Sequence, residues 1–141
     1  MELRDKRILS KMRDEARLIN KFLDGVDYDG FMVNDEKKRA VTQTLANIGE
    51  LCGVLSDKAK AQYSNVPWVA IRKTRNVIAH DYESVNFAFI WQSAKDDIPN
   101  LIIDIDRIEK DIGTDLFNQA EREDNYNEIE KAIKEADRVG E

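Results

Sequence analysis

Apolar residues recur at three-, four- and seven-residue intervals through most of the chain, and this spacing is typical of amphipathic helices. The first apolar stripe predicts a helix from about residue 2 to 24, which ends at Asp24-Gly25. A second stripe follows Asn34, whose side chain can cap a helix, and predicts a helix that ends near Leu55. The sequence contains no convincing alternating pattern of the kind that predicts strands. The pattern therefore predicts an all-α fold.

The middle of the chain predicts two further long helices. One begins at Pro67, because proline is favoured at the first position of a helix. The other begins near Ser84 or Val85 and continues to Ile112. Pro99 lies inside this second helix and should kink or split it, since proline lacks the N–H that an unbroken helix requires.

A last helix, rich in charge, is predicted from Asp115 to about Asp137. Its apolar anchors are sparse: Leu116, Ile129, Ile133 and Ala136. We therefore expect a bundle of four to five long helices. It consists of a helical domain over residues 1–112 and a charged helical extension over residues 113–141.

Composition narrows the classes of protein to which the chain can belong. Segments without a charged residue are at most eleven residues long, too short for a transmembrane helix. The N-terminal residues contain no apolar core of a signal peptide, so we expect a cytoplasmic protein without a membrane partner. Cys52 and His80 are the only cysteine and the only histidine. Their number excludes an internal disulfide and a metal site built on several thiolates or imidazoles.

Charge is distributed unevenly along the chain. The net charge of −6 argues against a general coat for nucleic acid, which requires positive charge over a whole surface. Residues 96–141 carry six basic and fifteen acidic side chains, whereas residues 57–82 carry five basic and two acidic ones. Arg72 and Lys73 in this basic segment are therefore candidates for a local approach of nucleic acid. Residues 37–39 form a second basic cluster, for which a solvated surface is the alternative interpretation.

The helix predicted after Pro67 contains the strongest candidates for chemistry. Arg75 occupies a position that its apolar stripe reserves for a hydrophobic residue. At about 100° per residue, Arg75 shares a face with Tyr82 but lies about 140° from His80. Arg75 and His80 converge on one phosphate only if the helix ends or distorts near residue 79, or if a second subunit completes the site. Asn76, four residues before His80, can hydrogen-bond to the imidazole and orient it.

These side chains suit the cleavage of RNA without a metal ion. Such a reaction needs a base for the 2′-OH, an acid for the leaving oxygen and a cation for the charge that develops on phosphorus. His80 suits the proton transfers and Arg75 suits the phosphate. One histidine per chain cannot easily be acid and base at once, so the mechanism favours a two-fold dimer. In the alternative interpretation, Arg75 is a structural arginine paired with an acid, and His80 is an ordinary histidine at a helix end.

Two glycines, Gly49 and Gly53, lie one turn apart on the second helix. Each costs about 1 kcal/mol relative to alanine in a helix interior, so a close approach must require them. Close packing of a neighbouring helix is one interpretation. The other is a backbone surface that lines a site, with Glu50 beside it. The sequence does not distinguish the two.

The pattern Arg75-Asn76-x3-His80-x-Tyr82 resembles the Arg-X4-His-X-Tyr motif of HepT toxins, which belong to the HEPN superfamily of small helical ribonucleases. The flanking sequence is also similar to that family, and the resemblance covers roughly residues 3–112. The flanking features that carry it are Ala40-Val41, Ile48-Gly49-Glu50, Val66-Pro67-Trp68, Trp91 and Pro99.

The resemblance implies a HEPN-type bundle that forms a homodimer, with Arg75 and His80 of both chains in a cleft at the interface. It implies a metal-independent endoribonuclease that acts on RNA without a cofactor, as the toxin of a type VII-like toxin–antitoxin system. It also implies an antitoxin partner, an MntA-type nucleotidyltransferase that transfers AMP from ATP to the motif tyrosine, here Tyr82. Added phosphates at Tyr82 would place negative charge where an RNA phosphate should bind.

A different class of function remains open at this point. The chain can also be a non-catalytic helical subunit that partners a minimal nucleotidyltransferase. In that hypothesis Arg75, His80 and Tyr82 form a docking surface, and the acidic balance of the chain is its motivation.

Overall fold

The computed structural model describes residues 1–80, 84–113 and 119–139, with the side chains of residues 128–138 in the last range. These ranges contain helices and connecting turns and no strand, so the predicted all-α fold is confirmed. The helices are α1 (Leu3–Phe22), α2 (Tyr28–Met32), α3 (Asp35–Val54), α4 (Asp57–Gln62), α5 (Trp68–His80), α6 (Phe87–Gln92), α7 (Ile98–Ile112) and α8 (Gln119–Val139). None of the described helices is both long enough and apolar enough to cross a membrane.

Side-chain caps set several of the helix starts, and those of α3 and α6 bear on the predictions. The Asn34 side chain accepts a hydrogen bond from the N–H of Lys37, which confirms the predicted cap of α3. Asn86 accepts from the N–H groups of Ala88 and Phe89, so α6 begins at Phe87 rather than near Ser84 or Val85. The prediction was wrong there because it overlooked a strong cap two residues farther along the chain.

A π-helical turn over Ser93–Asp97 joins α6 to α7 just before Pro99. Pro99 cannot donate a backbone hydrogen bond to the preceding turn, so the α-helical pattern is interrupted there. The predicted division of this helix near Pro99 is therefore confirmed. The interruption is a π-helical turn, which is wider than an α-helical turn.

Helix α3 lies at the centre of the bundle. α1 packs along it and α5 packs against another side, while α7 packs against α1. The apolar stripes predicted for the first two helices face this core, with Ile8, Met12, Ile19, Val41, Ile48 and Cys52 almost fully buried. Burial of these side chains supplies the main driving force for assembly of the bundle.

Polar contacts also hold α1 to the rest of the bundle, and those of Arg13 and Asp5 are the most buried. The buried Arg13 guanidinium donates to Asp106 and Glu109 of α7 at 2.8–3.2 Å. Burial alone would lower the pKa of Arg13, but these hydrogen bonds raise it, so the side chain stays charged. Asp5 accepts from both the N–H and the hydroxyl of Ser56, the residue that caps α4.

Helix α8 docks on α1 and α3 through a short apolar contact. Ile129 is buried and Ile133 is partly buried, as predicted, and Arg7 pairs with Glu128. Ala136 is exposed, so its prediction as an anchor was wrong. Residues 134–138 of α8 are all exposed, so the apolar contact of this helix ends at Ile133. The predicted start at Asp115 and the anchor Leu116 lie outside the described residues.

Candidate active site

Close contact between α3 and α5 places the two arginines of the predicted motif helix. A Cβ atom added at Gly49 would lie 2.3 Å from Cβ of Arg75, and one added at Gly53 would lie 2.6 Å from Nη1 of Arg72. Atoms that are not bonded cannot approach so closely, so this packing requires Gly49, whereas at Gly53 the flexible end of the Arg72 side chain would have to move. The interpretation of the glycines as a helix contact is confirmed, and the helix that approaches carries the candidate site.

The Arg75 guanidinium is paired with carboxylates of the same chain. Its Nη2 lies 3.2 Å from Oε1 of Glu50 on α3 and 3.8 Å from Oδ1 of Asp137 on α8. The Arg75 side chain is 24% exposed, so solvent still reaches the guanidinium. Glu50, on the central helix, therefore orients Arg75, and the more exposed Asp137 lies farther from the guanidinium.

Arg72 is held along α3. Its Nη1 donates to the carbonyl of Gly49 at 3.2 Å, and its guanidinium lies over Gly53 near the C-terminal end of α3. A cation is stabilised there by unpaired carbonyls and by the helix dipole. Lys73 is exposed beside it. Of the two cations expected to meet RNA, Lys73 therefore has the freer side chain.

His80 is the last residue of α5 and is exposed. α5 ends at His80, close to the predicted end near residue 79, but no distortion separates Arg75 from His80 within the helix. Arg75 instead faces α3, about 140° around the helix from His80. One chain does not bring the two side chains together.

Asn76 lies one turn before His80 and is also exposed. No hydrogen bond joins these two described side chains. The orienting role of Asn76 therefore stays a prediction. Tyr82, the predicted site of modification, lies outside the described residues.

Two side chains of the basic cluster at residues 37–39 contact other residues of the bundle. Nζ of Lys37 donates to the carbonyl of Phe22 at 2.8 Å. Nζ of Lys38 lies 4.6 Å from the centre of the Phe87 ring and 3.3 Å from a carboxylate oxygen of Asp35. These contacts join α3 to the end of α1 and to α6, so they favour a structural role over an approach for RNA.

Comparison with known proteins identifies the family to which this bundle belongs. A family model described as "Ribonuclease HepT-like" matches residues 12–108, which include Gly49, Arg75 and His80. The chain belongs to the HepT-like ribonuclease family. The predicted resemblance is confirmed, and the expectation of an enzyme is supported by a family of ribonucleases.

Several relatives carry ribonuclease names. "Putative RNase MJ0127" of Methanocaldococcus jannaschii is 31% identical over 105 residues, which cover 74% of this chain and 84% of the relative. "Putative RNase MJ1380" of the same organism is 28% identical over 102 residues, or 72% of this chain and 94% of the relative. "Probable ribonuclease HepT" of Thermococcus cleftensis is 26% identical over 101 residues, or 72% of this chain and 92% of the relative. No solved structure matches the chain.

The sequence could not indicate Asp137 as a neighbour of Arg75. The family match ends at Ile108, ahead of α8, so the motif says nothing about what α8 contacts. The acidic composition of residues 113–141 was the only signal. It could not specify which carboxylate lies beside the site.

Proposed function

We propose that the chain is a metal-independent endoribonuclease whose site is assembled from Arg75 and His80 of two subunits. The observation that carries the proposal is an exposed lone histidine at the end of α5, on the same helix as a partly exposed arginine. Membership of a ribonuclease family supports it. Such a protein would act on cytoplasmic RNA and would need no cofactor.

The proposed reaction is an internal transesterification. His80 of one subunit takes the proton of a ribose 2′-OH, and the 2′-oxygen forms a bond to the adjacent phosphorus. The bond from phosphorus to the 5′-oxygen breaks, and the partner subunit's His80, in its protonated form, gives a proton to that oxygen. The products are a 2′,3′-cyclic phosphate and a free 5′-OH. Arg75 stabilises the charge on the phosphoryl oxygens, which is the role a guanidinium serves best.

The outer side of α5 supports a dimer. α5 packs principally against α3, which leaves Val69 82% exposed and Val77 47% exposed. A groove of about 140 Å³ between α3, α5 and α7 is adjacent, with apolar walls that include Ile48, Ile71 and Leu101. Exposed apolar side chains beside an apolar groove are a favourable surface for a second copy of the chain.

RNA cleavage by the purified protein tests the activity. We expect single-stranded RNA to be cut equally well in EDTA and in Mg²⁺, because the proposed acid, base and phosphate ligand are all side chains. Electrophoresis of the products, with enzymatic removal of cyclic phosphate ends, is the measurement. The matched control is RNA with 2′-O-methyl groups, which lacks the attacking hydroxyl and should stay intact. Cleavage of the methylated RNA, or loss of all cleavage in EDTA, would contradict the mechanism.

The finer part of the proposal is a toxin–antitoxin role. An MntA-type nucleotidyltransferase would switch the chain off at Tyr82, whose phenol oxygen would attack the α-phosphorus of ATP. A bond forms between the tyrosine oxygen and the α-phosphorus, and the bond between that phosphorus and the oxygen that bridges it to the β-phosphate breaks. Pyrophosphate leaves, and the phenol proton passes to solvent. By helical spacing Tyr82 shares a face with Arg75, so the added phosphate would stand where Arg75 is proposed to bind the RNA phosphate.

Mass spectrometry of the chain co-expressed with a nucleotidyltransferase from an adjacent gene tests this switch. We expect the intact mass to rise by whole AMP units and RNA cleavage to be lost, because the added negative charge repels the RNA phosphate. Tyr82→Phe should prevent the change in mass, whereas Tyr28→Phe, at a partly exposed tyrosine of α2, should not. An unchanged mass, or an equal change in Tyr82→Phe, would contradict modification at Tyr82.

A second candidate function is a non-catalytic subunit that binds a nucleotidyltransferase. The pairing of Arg75 with Glu50 and Asp137 favours it, because a neutralised guanidinium attracts RNA weakly. The cleavage assay separates the two candidates. Cleavage by the purified chain that is lost in His80→Ala excludes the non-catalytic subunit, and stable binding of the transferase without any cleavage supports it.

A further inference from the structure

The C-terminal helix reaches the candidate site through one acidic side chain. Nη2 of Arg75 faces two carboxylates, from Glu50 and from Asp137. One guanidinium and two carboxylates carry a combined charge of about −1 at neutral pH. An RNA phosphate that approached this group would be repelled unless one carboxylate moved away.

The two carboxylates differ in how firmly they are held. Glu50 belongs to the central helix, is 25% exposed and lies 3.2 Å from the guanidinium. Asp137 is 58% exposed and lies at 3.8 Å, close to the outer limit of an ion pair. Exposed pairs at such distances are weak, because water screens them and the side chains must be held in place. Asp137 is therefore the carboxylate that a phosphate can displace.

Asp137 lies beyond the residues through which α8 is attached to the bundle. The contacts that hold the described part of α8 to α1 and the core lie at Glu128, Ile129 and Ile133. The family match ends at residue 108, and one relative is covered over 94% of its length by a match of 102 residues. α8 lies outside the residues that the family model matches.

We infer that α8 is an autoinhibitory element, in which Asp137 occupies the place of an RNA phosphate beside Arg75. The inference rests on the proposed function, because it assigns Arg75 to phosphate. RNA binds only after its phosphate replaces the Asp137 carboxylate, while Glu50 keeps the guanidinium in position. The activity of this chain is therefore lower than that of the same bundle without the contact.

Binding of a 2′-O-methylated single-stranded oligonucleotide tests the inference separately from cleavage. We expect Asp137→Asn to bind about two- to fivefold more tightly than the wild type, which is the range expected for loss of an exposed competing ion pair. Fluorescence anisotropy at 0.15 M salt gives the Kd values. Cleavage of unmodified RNA at subsaturating concentration should rise by the same factor. Asp137 is exposed, so this substitution should leave the thermal unfolding transition unchanged.

Glu135→Gln is the matched control. It removes the same charge from the same helix, and Glu135 is exposed about 200° around α8 from Asp137. At 0.15 M salt its effect on the Kd should stay below about 1.5-fold, since distant exposed charges are screened. Equal Kd values for the wild type, Asp137→Asn and Glu135→Gln would overturn the inference and leave the proposed function standing. If no variant bound or cleaved RNA, the proposed function would fail together with the inference.

Discussion

Replacing His80 by alanine in one subunit of a dimer should abolish RNA cleavage as completely as replacing it in both. The chain has one histidine, and the proposed reaction needs a base and an acid in the same turnover. A dimer with a single imidazole would lack one of the two. General acid–base catalysis contributes about 10²- to 10⁴-fold to a rate, so we expect a loss of at least about 100-fold.

Mixed dimers with two different affinity tags allow this measurement. Sequential purification isolates the wild-type–variant dimer, and its kcat for RNA cleavage is compared with those of the two parent dimers. The matched control is a mixed dimer with Asn76→Ala, one turn before His80. It should lose less activity, because an orienting residue exchanges no proton with the RNA. Half of the wild-type kcat in the His80→Ala mixed dimer would show that each subunit works alone. A monomer in gel filtration would contradict the shared site.

Gly49→Ala should destabilise the protein, although alanine is the better helix former. The new Cβ would lie 2.3 Å from Cβ of Arg75 and 3.2 Å from the carbonyl oxygen of Ile71. Neither atom is the end of a flexible side chain, so α5 must move away from α3. Overpacking costs about 1–3 kcal/mol, and the gain in helix propensity of about 1 kcal/mol offsets part of it. We expect a net loss of up to about 2 kcal/mol in the free energy of unfolding.

Gly53→Ala is the matched control, with the same substitution one turn along the same helix. Its Cβ would meet the guanidinium of Arg72, which can swing aside at small cost. Its free energy of unfolding should stay close to that of the wild type. Urea titration gives both values.

Cys52 supplies a second measurement, because it is fully buried and burial raises the pKa of its thiol. Thiol labelling should therefore be faster in Gly49→Ala. Equal stability of the two variants would contradict a rigid α3–α5 contact.

The sequence predicted the features that depend on local chemistry. Asn34 caps α3 as expected, because an asparagine side chain satisfies helix N–H groups whatever its wider surroundings. The interruption at Pro99 follows from a missing N–H, which is also local. The close approach at Gly49 was predicted from its cost in a helix, and the structure shows which helix approaches.

Features that depend on the placement of distant helices were beyond the sequence. Asp137 is 62 residues from Arg75, and no periodicity relates the two. The sequence did not predict the pairing of Arg75 with Glu50 for the same reason. It placed Glu50 beside a possible site but did not indicate which side chain Glu50 contacts. The bound Arg72 shows the same limit. Its basic charge suggested contact with RNA, which stays a prediction, and the sequence did not indicate its hydrogen bond to the carbonyl of Gly49.

α5 lies at the edge of the bundle, and its stability should therefore depend on the protein concentration. A helix with one principal neighbour opens at a free energy set largely by that single contact. A second subunit on the outer side of α5 would add another contact and close the helix more firmly. If the second subunit binds only the ordered state of α5, the site becomes more stable as the protein concentration rises. The rate of cleavage per molecule would then rise with protein concentration, and a diluted sample would cleave RNA slowly.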